Sequence, residues 1–130
     1  MRVMLPLFST LLLWTSSVYA EMSQYQDVIM HRAATATADG SFLNVHKAVT
    51  VRLDVEITGT ATVSFNIAGA GNYGWYPKLC TPSDSTTGAT STDVSGVFYC
   101  LVSGANAFEA PITAYTSGTV TVVGRATTSR

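Results

Sequence analysis

Between Val49 and Ile57 the chain alternates strictly, with Val49, Val51, Leu53, Val55 and Ile57 aliphatic and Thr50, Arg52, Asp54 and Glu56 polar or charged. Only an extended backbone gathers residues i, i+2 and i+4 on one side; a helix would scatter these five aliphatic groups around its axis. The segment is therefore a strand with one face for a core and one for water. The same period returns in Ala61, Val63, Phe65 and Ile67, and again in Phe108, Ala110, Ile112 and Ala114, followed by Val120 and Val122.

Turn chemistry separates these runs. Thr58-Gly59-Thr60 lies between the first two, and Thr116-Ser117-Gly118 interrupts the last stretch, so each pair of runs is expected to fold into a hairpin. Asp39-Gly40 marks a turn between a weak strand over residues 27–35 and a short one over 42–45. Pro77 and Pro111 fall inside expected strands, where the missing amide donor calls for an edge or a bulge. The polar stretch SDSTTGATSTDVSG is expected to be a mobile loop. No capped helical stripe occurs after residue 20. The expected fold is all-β, an antiparallel two-sheet β-sandwich of Ig-like or jelly-roll-like form with seven or eight short strands.

Residues 1–20 have the layout of a signal peptide. Arg2 gives a positive start, Leu5 to Trp14 an apolar stretch, and Val18-Tyr19-Ala20 a cleavage site before Glu21. Pro6, Ser9 and Thr10 interrupt the apolar run, which is shorter than the roughly 20 residues of a membrane span. No stable span is expected after cleavage. Residues 21–38 then form an amino-terminal extension with one weak strand, and 39–130 the sandwich, a length suited to one domain. Beyond residue 20 the chain holds six basic and eight acidic residues, and the basic ones are scattered. A nucleic-acid partner, which needs a basic footprint, is not expected.

Cys80 and Cys100 are the only cysteines, and an even count in an exported chain points to a disulfide. If residues 73–81 and 96–103 pair antiparallel about a loop near Thr90, residue 80 falls opposite residue 100. The alternative is two buried thiols.

The order of several motifs from Gly59 onward resembles a family of small β-sandwich domains found in tailed-phage and prophage structural proteins. They are TATVSFNIAG, the aromatic NYGWYPKL, a Thr/Ser/Ala-rich loop, the strand entered through Gly96-Val97-Phe98-Tyr99, and the ending FEAPITAYTSGTVTVVGRA. Asp39-Gly40-Ser41 matches the typical start. The resemblance implies a virion component, such as a head decoration, tail or fibre subunit, that packs against itself or another structural protein. It implies no catalytic residues. Two features depart from the pattern: members are usually assembled in the cytoplasm without a leader or disulfide, and many carry an Arg where this chain has Phe108-Glu109-Ala110-Pro111-Ile112.

The residues themselves offer little chemistry. His31 and His46 are the only histidines, and neither stands in a motif that pairs a nucleophile with a base. His46 with Asp54 and Glu56 is the least implausible constellation and reads as a solvated polar edge. No catalytic, cofactor or metal residue is assigned, because the two His and two Cys lack the close spacing of a zinc site. Tyr73, Tyr76 and Tyr115 are candidate contacts to a ligand or partner, such as a cell-surface glycan, whereas Trp75 is expected in the core. The alternative to a virion subunit is thus an exported periplasmic or cell-surface binding or adhesion module. An intact-mass measurement checks the cysteine pairing: the untreated chain should be lighter than the reduced one by a pair of hydrogens, whereas full thiol reactivity before reduction would exclude the bridge.

Overall fold

A single antiparallel ribbon runs through both layers of the protein. The computed structural model describes residues 26–69 and 74–128, so the expected signal peptide lies outside the described residues, as does Tyr73. Its strands are β1 (Val28–Ala34), β2 (Leu43–Asn44), β3 (Thr50–Ser64), β4 (Asn66–Ala68), β5 (Tyr76–Pro77), β6 (Cys80–Pro82), β7 (Ser91–Thr92), β8 (Gly96–Leu101), β9 (Ala107–Glu109) and β10 (Ile112–Thr127). The larger sheet has the order β1-β10-β3-β8-β6, with β7 also paired to β3, and the smaller one β2-β9-β4-β5. All pairs are antiparallel. The all-β, two-sheet expectation therefore holds, with ten strands among the described residues rather than seven or eight.

Neither expected hairpin forms. Residues 50–64 make one continuous strand through Gly59, and 112–127 make another through Gly118. The two lie against each other from Thr50↔Thr127 to Val63↔Ile112, with Gly59 directly opposite Gly118. Both suspected turns thus sit at one level of a long ribbon. Two register shifts leave Thr113 and Thr116 of β10 as extra residues, and such bulges bend the strand that carries them. At the second bend both glycines have positive φ, 113° at Gly59 and 85° at Gly118. A Cβ built on Gly118 would run into the carbonyl of Thr58, and one on Gly59 into that of Ser117. The glycines that resembled turn residues serve the left-handed conformation and close approach that this bend requires.

The ribbon then changes sheets without losing its register. Phe65 joins β3 to β4, and Ala110-Pro111 joins β9 to β10. Across this step Ser64 N–H donates to the Pro111 carbonyl, and pairing resumes at Asn66↔Glu109, Ile67↔Phe108 and Ala68↔Ala107. Pro111 costs no ladder bond because it occupies the crossing, and Pro77 lies on the edge strand β5.

Alternation on β3 delivers Val51, Leu53, Val55, Ala61 and Val63 to the core, while Arg52, Asp54 and Glu56 face water. Thr50 is the exception on the polar face: it is buried, and its hydroxyl has no hydrogen-bond partner. From the larger sheet Phe98, Val120 and Val122 join them, and from the smaller Leu43 and Phe108. Phe65, at the crossing, meets Phe98 with ring centroids 5.3 Å apart. These phenylalanines fill the space that the sequence assigned to Trp75. Gly124 leaves room for Leu43 of the opposite sheet, since a Cβ there would lie 2.6 Å from the leucine Cδ1.

The edge of the larger sheet is closed covalently. Cys80 on β6 lies in register with Cys100 on β8, Cα–Cα 4.4 Å, and the two form a disulfide. In the chain-entropy model a loop of this length contributes about 3 kcal/mol. The polar stretch that it encloses is tied down at several points. Cys80 and Ala89 exchange backbone hydrogen bonds, β7 pairs with Val63 and Ser64, and Ser95 Oγ accepts from Ile57 N–H and donates to the Ile57 carbonyl.

Replacing Gly118 by Ala should lower stability by about 3 kcal/mol, because strain at positive φ adds to a backbone clash. Gly69→Ala, where a Cβ meets nothing within 4 Å, should stay within about 0.5 kcal/mol of the parent. Urea denaturation checks both; equal midpoints for Gly118→Ala and the parent would reject the bend.

Candidate functional site

His46 and the carboxylates Asp54 and Glu56 are kept apart by the fold. Asp54 and Glu56 project from the solvent face of β3 in the larger sheet, where Asp54 Oδ1 lies 3.2 Å from Arg52 Nε. His46 follows β2 of the smaller sheet and lines a hollow with Phe42, Asn44, Asn106 and Ala107. The three do not form a site. His31 is buried in β1, and its Nε2 donates to the Ala110 carbonyl at 2.8 Å, which anchors β1 to the crossing of the ribbon. Among the described residues, no group of three or more His, Cys, Asp or Glu could hold a metal ion.

The aromatic candidates part company. Tyr76, in edge strand β5, is 63% exposed. Trp75 is 41% exposed, which corrects its expected place in the core. The reason is topological: Trp75 precedes the two-residue β5, and among the described residues no strand pairs with β5 on its outer side. Tyr115 stands within β10 rather than at a strand end, half-buried against the core, and its hydroxyl donates to the Gly118 carbonyl at 2.9 Å. It braces the bend and is not a free contact. Cys80 and Cys100 are structural.

Among the described residues, three surfaces stand out. On the outer face of the larger sheet Arg52 lies opposite Arg125, each guanidinium beside a carboxylate, Arg52 with Asp54 and Arg125 with Asp27 at 2.7 Å. These pairs are half-exposed and contribute less than about 1 kcal/mol each. A second groove, about 510 Å³, runs under the disulfide-enclosed loop past Asp84, Ser91, Asp93 and Ser95.

The third lies on the outer face of the smaller sheet. Leu43 and Phe108 point inward, so Phe42, Asn44 and Ala107 must point outward, and Ala68 shares their side because it pairs with Ala107. Asn44, Ala107 and Ala68 form one row across three strands. Both alanines are buried yet do not belong to the core cluster. Phe42, 61% exposed, and Trp75 rise on either side of them. Phe42, Asn44 and Asn106 were not singled out from the sequence. Strict alternation around Leu43 and Val45 was the available signal, but a strand of two residues is too short to display it. Among the described residues, nothing in this arrangement supplies a nucleophile with an adjacent base.

The XepA family model matches residues 24–126. The structure of the SPBc2 prophage-derived protein YomS is similar, with TM-score 0.71 and 17% identity, covering 79% of this chain and 92% of that one. The PBSX exported protein XepA superposes with TM-score 0.74 and 24% identity over 79% of this chain, which spans only 37% of that protein. At these identities the two structures show a common fold. No curated protein matches. With four-fifths of its sequence inside the family model, this phage-related β protein belongs to the XepA family.

Proposed function

We propose that the chain is an exported, non-enzymatic protein of a phage or prophage that acts by presenting its sheet faces and edges to other molecules. The Cys80–Cys100 disulfide carries this reading. It closes the edge of the larger sheet, and such bonds persist in oxidising compartments outside the cytoplasm. The leader-like residues 1–20 support the same location, as does the description of one solved relative as an exported protein. The scattered histidines and carboxylates supply no constellation for catalysis.

A virion subunit, packed against copies of itself or another structural protein, is the second reading. It draws support from the prophage origin of YomS and from the sheet edges at β1 and β5, whose backbone groups suit strand pairing with a neighbour.

Peptide mapping of purified particles and of the exported fraction separates the two. Chains that begin at Glu21, found outside the cytoplasm and absent from particles, are the expected result. Chains that begin at Met1 inside particles would overturn export in favour of the virion subunit.

A further inference from the structure

We propose that the outer face of the smaller sheet is a binding groove for a neutral saccharide, with Phe42 and Trp75 as stacking platforms. This inference rests on the geometry of that face and is independent of where the protein resides. Two hollows, of about 220 and 380 Å³, adjoin there and share Phe42 and Ala107. The first is apolar, lined by Phe42, Ala68, Gly74, Trp75 and Ala107. The second is polar at its far end, where Asn44, His46 and Asn106 complete the wall. Together they make a short trough with an alanine floor, aromatic sides and an amide-rich end.

The floor is the telling part. Ala68 and Ala107 face each other in register, and both are excluded from the core cluster although they are buried. Both methyl groups are already covered, at 3% and 7% exposure, so the surface open to a ligand comes from Phe42 and Trp75, 61% and 41% exposed. An exposed aromatic ring beside a shallow floor offers a flat apolar plate, and pyranose rings present a matching plate of C–H bonds with hydroxyls around the rim. Asn44, whose Oδ1 accepts from His46 N–H, and the His46 imidazole supply amide N–H groups and ring nitrogens for such hydroxyls.

Charge decides the ligand class. Among the described residues, no Lys, Arg, Asp or Glu lines either hollow. Nucleic acids and anionic lipid headgroups are held by cations, which the trough lacks. The charged groups lie elsewhere, in the Asp27, Arg52, Asp54 and Arg125 cluster on the larger sheet. An uncharged, hydroxyl-rich molecule with an apolar face complements this surface.

The test is a titration of the full chain carrying Trp14→Phe, so that emission reports Trp75 alone. Chitotetraose, cellotetraose and maltotetraose are each added to about 10 mM, well above the dissociation constants of weak binders. A saturable blue shift with at least one of them is expected. By calorimetry, Phe42→Ala should then weaken that binding about tenfold or more, the loss of one stacking contact, with an unchanged melting temperature. Two results would overturn the proposal. One is the absence of any saturable change with all three oligosaccharides, including the case in which only phosphatidylglycerol vesicles shift Trp75. The other is binding that Phe42→Ala leaves intact.

Discussion

The ladder that joins residues 50–68 to 107–127 is the constraint on which the remaining structure depends. It begins in the larger sheet, bends where Gly59 meets Gly118, and ends in the smaller sheet at Ala68 and Ala107. Because the same two stretches serve both layers, the sheets are not independent units packed together; they are two ends of one ribbon. Every other strand attaches to it: β1, β8 and β7 pair with it in the larger sheet, β2 and β5 in the smaller, and β6 hangs on through β8 and the disulfide. Alternation along the ribbon supplies Val51 to Val63 from one side and Phe108 to Val122 from the other, so pairing and core formation proceed together.

The bend also explains why polar hydroxyl residues gather at Thr58, Thr60, Thr116 and Ser117. At that level neither face of the ribbon is covered, and the side chains are exposed on both. Thr58 and Thr119 join across the strands through their hydroxyls at 2.8 Å, and Tyr115 closes back on Gly118. Local side-chain bonds take up the strain of two bulges within a few residues.

The face proposed to bind saccharide follows from the same ribbon. Its last rung places Ala68 beside Ala107, and the neighbouring strands β2 and β5 are so short that Phe42 and Trp75 lie just beyond them. A longer β5 would have carried the aromatic cluster into a paired strand with a buried side. Core volume is filled by Phe65, Phe98 and Phe108, residues whose strands are covered by the opposite sheet.

Much of this was legible in residue order. Period-two alternation gave the strands of residues 49–67 and 108–122 and the buried side of β3, though Glu109 and Pro111 are buried as well and the bulge at Thr113 turns Ala114 outward; the cysteine spacing gave the antiparallel register of β6 with β8. What misled was turn chemistry: Thr58-Gly59-Thr60 and Thr116-Ser117-Gly118 satisfy the local rules for hairpins, since positive φ at glycine serves a turn and a bulged bend alike. Local sequence cannot report that the two glycines face each other, because that depends on a pairing between segments 59 residues apart. The exposure of Trp75 is of the same kind, fixed by its place beside β5 at the edge of the smaller sheet and not by the tryptophan. The sequence alone thus determined an all-β chain, the inward face of its longest alternating strand and its disulfide. Only the tertiary structure decided which strands are continuous and which aromatic rings reach water, because both depend on non-local partners.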